Sequence, residues 1–186
     1  RRFAHNAFKI FLIGHLYVGW RLIPDLQFGL ESAFVAVTFL AITNILIPYG
    51  TMARRFVDNQ ETVDHLVWAG GLTMSWFSSL LVLTILRDVI LLIPASESWR
   101  EDSALWVIIA ASTITVIGLV NARMTAKVKR VDIPITGLSD ALNGFTIVQI
   151  TDVHVGPTIK SDYVHRIVKR VNNLAADAVA ITGDMV

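Results

Sequence analysis

Gly144-Phe145-Thr146-Ile147-Val148-Gln149-Ile150-Thr151-Asp152-Val153-His154-Val155-Gly156-Pro157 is the stretch whose reading decides the fold of the C-terminal part of this chain. Residues 145–151 are β-branched and nearly all apolar, as a strand buried on both faces should be. They run into Asp152-Val153-His154-Val155-Gly156-Pro157, a loop punctuated by glycine and proline. Downstream, Ser161 suits a helix N-cap. From there to Ala175, Val164, Ile167, Val168, Val171 and Leu174 recur at helical spacing, with His165, Arg166, Lys169 and Arg170 on or beside the wet face. Ala178-Val179-Ala180-Ile181-Thr182 then reads as a second buried strand ending in Gly183-Asp184. Strand, helix and strand in this order make a βαβ unit with parallel strands and a right-handed crossover.

Open parallel sheets bind ligands beyond the carboxyl ends of their strands. Asp152 and His154 stand at that end of the first strand, and Asp184 at that end of the second. Neighbouring strands would bring the three side chains to one place. Asp and His two residues apart reach the same side of a chain. Oxygen and imidazole donors suit manganese, iron, zinc or magnesium. A second carboxylate can bridge two ions, and two ions about 3.5–4 Å apart clamp a phosphoryl group and activate a water. Gly156 and Gly183 let the backbone come close. An isolated Asp-x-His is common by chance, and a Gly-Asp after a strand is often only a turn. Their joint placement on a correctly patterned βαβ unit carries the argument. His165, on a wet helical face, reads as surface, and His5 and His65 as interfacial; none is assigned a metal.

Upstream, Lys127 to Ile135 alternates charged and apolar residues, which predicts a half-exposed edge strand closed by Pro134 and Gly137. Before it the character changes. The chain is 54% hydrophobic and only 17% charged, with a mean hydropathy of +0.58, against about 25% charged in ordinary globular proteins. Uncharged runs long enough to span a bilayer occupy 32–53, 66–86 and 103–122. A weaker fourth, 7–23, is bracketed by Lys9 and Arg21 and contains His15; its cations can snorkel to the headgroups. The expected organisation is a transmembrane domain of about four helices over 1–125 and a water-soluble part over 126–186. Trp20, Trp68, Trp99 and Trp106 lie near predicted span ends, where aromatic belts form. Arg87-Asp88 is expected to pair at a span boundary.

With four spans, Arg1, Arg2, Lys9, Arg54, Arg55, Arg123, Lys127, Lys129 and Arg130 share one side, against Arg21, Arg87 and Arg100 on the other. Nine cations against three predict an integral plasma- or inner-membrane protein with both termini, and the soluble part, in the cytoplasm. The spans hold few ionisable groups, which argues against a transporter or channel. His15 reads as a helix-packing hydrogen-bonder, Asn44 as satisfying a carbonyl freed by Pro48, and Gly70-Gly71 as a close helix contact. A net charge of +1 shows no nucleic-acid footprint, and the absence of cysteine excludes disulfides and thiol-ligated metal. The chain opens on Arg1 and stops just after Gly183-Asp184, so it reads as a piece of a longer protein.

The stretch 144–157, together with Asp177-Ala178-Val179-Ala180-Ile181-Thr182-Gly183-Asp184, resembles the calcineurin-like metallophosphoesterases. The resemblance covers about residues 127 to 186, and the layout looks like the subgroup with N-terminal transmembrane helices. It implies a multi-span α-helical membrane domain followed by the start of an α/β, four-layer αββα-type phosphoesterase domain. It implies two divalent ions (manganese, iron or zinc), with Asp152 and His154 ligating the first and Asp184 bridging both. It implies hydrolysis of phosphomonoesters or phosphodiesters by a metal-bound hydroxide. The family's later Asn-His and histidine motifs have no match here, so this chain alone is expected to be inactive. Membrane anchoring makes a lipid-linked phosphate or pyrophosphate an attractive substrate by proximity. The alternatives are a membrane sensor or scaffold with a decayed site, a transporter with a regulatory domain, and a phosphoacceptor role for Asp152. The bilayer and a phosphoester are the expected partners.

Overall fold

The computed structural model describes residues 2–27, 29–92, 97–153, 156 and 160–184, without the side chains of 2–7 and 97. The chain divides into two compact units, Arg1–Ala122 and Arg123–Val186.

The first unit is helical, with α1 (Arg2–Leu22), α2 (Leu30–Met52), α3 (Gln60–Ile90) and α4 (Glu97–Arg123). Three stretches are long and apolar enough to cross a membrane: Leu30–Arg55, Gln60–Ile90 and Ser98–Arg123. α1 is not among them; it carries Lys9, His15 and Arg21. α3 begins well before its apolar run because Asn59 caps it, its side chain accepting from the Thr62 amide at 2.9 Å.

A core of Val18, Leu22, Ile47, Phe77, Leu80, Ala104, Val107 and Ala111 draws on all four helices. Large apolar side chains point outward, among them Phe34, Val35 and Ile42 of α2, Val82 and Ile85 of α3, and Val116 and Ile117 of α4. Such continuous apolar exposure suits lipid as solvent, where apolar surface outside carries no penalty.

Several buried polar groups of this unit bond across helices. His15 is buried, bonds the Phe11 carbonyl through Nδ1 at 2.7 Å and meets Thr43 Oγ1 of α2 through Nε2 at 3.2 Å. Its ring stacks on Phe77 of α3 at 3.6 Å. It is the helix-packing group expected from its place in the span. Asn44 is buried one turn before Pro48, with its Oδ1 lacking a partner among the described residues.

Arg87 and Asp88 form the expected ion pair at 3.7 Å, and each has tighter partners as well. Neighbours on a helix point about 100° apart and do not face each other. Arg21 donates to Asp88 through Nε at 2.6 Å and Nη2 at 2.9 Å, and the Tyr17 hydroxyl donates to it at 2.6 Å. Arg87, 4% exposed, bonds Asp25, Ser103 Oγ at 2.8 Å and the Arg100 carbonyl at 2.8 Å. These bonds tie α1 and the residues after it to α3 and α4. Removing one member of a buried pair leaves an uncompensated charge, a loss of about 3–5 kcal/mol.

α2 and α3 touch at Gly50 and Gly70. A Cβ on either glycine would lie 2.7 Å from the other's Cα. The close contact expected of Gly70-Gly71 belongs to Gly70 alone, because Gly71 has nothing within 4 Å of a built Cβ.

The second unit holds β1 (Ile147–Thr151), α5 (Ser161–Asn172) and β2 (Ala178–Thr182). The strands pair in parallel, Ile147 opposite Ala178 through Thr151 opposite Thr182. Lys160 is the N-cap of α5 and Ser161 its first helical residue, one position from expectation. The edge strand expected over 127–135 is absent; those residues are irregular and exposed. A strand exists through its ladder partner, and alternation alone supplies none. Val148 and Ile150 of β1 and Ala178 and Ala180 of β2 are half-buried while Ile147, Val179 and Ile181 are exposed, so neither strand is buried on both faces as expected.

The start of the ladder is pinned by Asp177. Its Oδ2 accepts from the Thr146 amide at 2.7 Å and the Thr146 hydroxyl at 2.9 Å, and its own amide donates to the Thr146 carbonyl at 3.0 Å. The amide, and then the hydroxyl, hold this carboxyl below its ordinary range.

Two predictions follow from these contacts. Gly70→Ala forces α2 and α3 apart and lowers stability by about 1–3 kcal/mol, read as a lower melting temperature in detergent, while Gly71→Ala leaves it unchanged. A depressed folded pKa makes the Asp177 contribution complete above the unfolded value of about 4 and lost as pH falls through the lower folded value. The Thr146 amide resonance should therefore titrate below the ordinary carboxylate range, and Asp177→Asn should abolish that titration.

Candidate metal centre

The in-register parallel ladder brings the two carboxyl ends to one edge. Thr151 and Thr182 are the last paired residues. Asp152 follows the first directly, and Asp184 follows the second after Gly183. The ladder contact persists one step further, with the Asp152 amide 3.4 Å from the Thr182 carbonyl.

Both loops turn sharply here. Asp152 has φ 52°, the left-handed region that Asp tolerates better than most residues, and Gly183 has φ 75°. The turns bring the second loop onto the Asp152 carboxylate. Asp152 Oδ1 accepts from the Asp184 amide at 3.3 Å, and Oδ2 accepts from the Thr151 hydroxyl at 2.6 Å. A Cβ built on Gly183 would lie 2.5 Å from Asp152 Oδ1 and 2.8 Å from Thr151 Oγ1. Only glycine leaves the space this carboxylate fills. One strand over, Gln149 Nε2 donates to Thr182 Oγ1 at 2.8 Å.

Asp152 thus sits against the loop that carries Asp184, through the Asp184 amide. His154 lies outside the described residues. Among the described residues no group of three or more His, Cys, Asp or Glu gathers to hold a metal. What stands at the sheet edge is a pair of carboxylate-bearing loops packed around a glycine cradle. Hard oxygen donors of this kind fit a divalent cation.

The part played by Thr151 escaped the sequence reading. Ile-Thr closes both strands, as Ile150-Thr151 before Asp152 and Ile181-Thr182 before Gly183-Asp184. That repetition is the signal that marks it. A hydroxyl bonding one carboxylate oxygen orients the group.

Comparison with known proteins finds relatives named for a metallophosphoesterase domain. The chain is 41% identical over 91 residues to a transmembrane protein with metallophosphoesterase domain from Danio rerio, covering 49% of this chain and 20% of that protein. It is 32% identical over 78 residues to the protein of the same name from Bos taurus, covering 42% of this chain and 18% of that one. An uncharacterised metallophosphoesterase of Campylobacter jejuni is 28% identical over 200 aligned positions, covering 99% of this chain and 50% of its own length. The chain therefore spans from about a fifth to half the length of these curated relatives. No family model matches it, and no solved structure does. The chain is thus similar to transmembrane proteins that carry a metallophosphoesterase domain, the resemblance that its Asp-x-His and Gly-Asp motifs carry.

Proposed function

We propose that the whole protein is a membrane-anchored, metal-dependent phosphoesterase. In this reading residues 1–125 anchor it and residues 126–186 open its calcineurin-like domain. Asp152, His154 and Asp184 are its first metal ligands, and a complete site binds two divalent ions. The substrate is a phosphomonoester or phosphodiester, and proximity to the bilayer favours one that is lipid-linked. With α1 counted as a fourth span, the cation asymmetry between the two sides favours a cytoplasmic domain.

One observation carries the reading. The Asp152 carboxylate and the Asp184 loop meet at the carboxyl ends of adjacent parallel strands, over a glycine whose Cβ would fill the site. That is where open sheets place ligands. The names of the relatives point to the same chemistry. Three helices apolar enough to cross a membrane support the anchor.

A divalent ion held there polarises a phosphoryl oxygen and acidifies a water. The chain's own residues do the positioning. The Thr151 hydroxyl and the Asp184 amide fix the two oxygens of Asp152, so the carboxylate needs no reorganisation to bind a cation.

Manganese-dependent hydrolysis of bis(p-nitrophenyl) phosphate by the whole protein in detergent, with about two metals per chain, is the expected result. No metal and no turnover across several divalent ions would favour the sensor or scaffold reading. Asp184→Asn should abolish metal-dependent turnover while leaving the protein folded by circular dichroism; retained activity would overturn the ligand assignment. Thr151→Val should weaken metal affinity roughly 10–100-fold, read by isothermal titration with manganese.

A further inference from the structure

We infer that the basic face of α5, with the segment that follows α4, is a docking surface for anionic lipid headgroups. Arg166, Lys169 and Arg170 lie within one arc of α5 and are all exposed. Two of them reach the chain just beyond α4. Arg166 Nε donates to Thr125 Oγ1 at 3.3 Å, and Arg170 Nη1 donates to the Ala126 carbonyl at 2.9 Å. The Arg166 guanidinium also lies over the Tyr163 ring, 5.6 Å from its centroid.

These partners hold the guanidinium groups without neutralising them. A hydroxyl, a carbonyl and a ring face carry no net negative charge. Among the described residues, no carboxylate lies within ion-pair distance of Arg166, Lys169, Arg170, Lys127, Lys129 or Arg130. Asp162 is the acid on the same arc of the helix. The surplus of positive charge on this face is therefore real.

Covalent continuity says what the face meets. Thr125 stands two residues past Arg123, which ends the apolar stretch Ser98–Arg123. At about 3.3–3.6 Å per residue, that is within about 7 Å of the span end. The potential of an anionic membrane surface extends about one Debye length, roughly 8 Å in physiological salt. Clusters of cations directly beyond a membrane span are the ordinary device for binding such surfaces. Here the juxtamembrane cations Lys127, Lys129 and Arg130 are joined by those of a folded helix, so lipid charge also bears on the unit that holds Asp152 and Asp184. This inference is independent of the phosphoesterase reading.

The chain contains no cysteine, so a single label can be placed cleanly. Asn173→Cys, on the same arc just beyond α5, is labelled with a fluorophore and the whole chain is put into nanodiscs. One set contains phosphatidylcholine alone and the other one third phosphatidylglycerol, each with a trace of headgroup spin-labelled lipid as quencher. Quenching should rise severalfold with phosphatidylglycerol and vanish in molar salt. The change of R166Q, K169Q and R170Q together should remove the rise, with about a fivefold loss of surface association per cation. Equal quenching in both lipid compositions, or quenching indifferent to salt, would overturn the proposal. The salt series needs only the labelled native face, so it decides the matter even where the triple variant fails to fold.

Discussion

The in-register parallel ladder between β1 and β2 is the constraint on which the candidate site depends. A one-residue slip would turn the side chains of one strand to the opposite face and separate Asp152 from the loop of Asp184. Asp177 guards against that slip at the start of β2, where its carboxylate binds the Thr146 amide and hydroxyl. At the other end, Gly183 allows the loops to interlock around Asp152. Pinning at one end and interlock at the other define the edge between them, over five paired positions.

The helical unit obeys a different solvent. Its exterior is apolar, and several of its buried polar groups bond across helices. His15 joins α1 to α2 and stacks on α3. Arg87 gathers Asp25, Ser103 and the Arg100 carbonyl, while Asp88 gathers Arg21 and Tyr17. α1 carries Lys9, His15 and Arg21 and is not among the stretches apolar enough to cross a membrane, and these polar ties fasten it to its neighbours. Polar complementarity holds it where apolar length does not. Gly50 against Gly70 adds van der Waals contact that any larger side chain would open.

Charge is distributed between the units in opposite ways. In the helical unit Arg21 and Arg87 are spent on carboxylates. In the second unit the cations of α5 rest on neutral partners and keep their charge. The first arrangement fastens helices together, and the second leaves a field at the surface. Both are arginine-rich, and only the identity of the partner separates fastening from display.

Much of this was legible in the amino-acid order. Apolar runs without charge announce helices for lipid, because a bilayer admits few alternatives. A β-branched run, a loop holding Asp152, a periodic helix and a second run ending in Gly183-Asp184 announce a βαβ unit, because each period belongs to one secondary structure. What periodicity does not carry is pairing. The alternation of 127–135 looked like a strand and has no ladder, since a strand is made by its neighbour. Arg87 and Asp88 form an ion pair, yet their shorter bonds go to different helices, Asp88 to α1 and Arg87 to α4, because a helix turns them apart. Gly70 and Gly71 look equivalent in sequence, and only one faces α2. The sequence by itself determined the helices, the two strands of the βαβ unit and where the carboxylates fall. The tertiary structure decided which groups touch, because contact depends on the direction a backbone points a side chain and on what the rest of the chain places in its way.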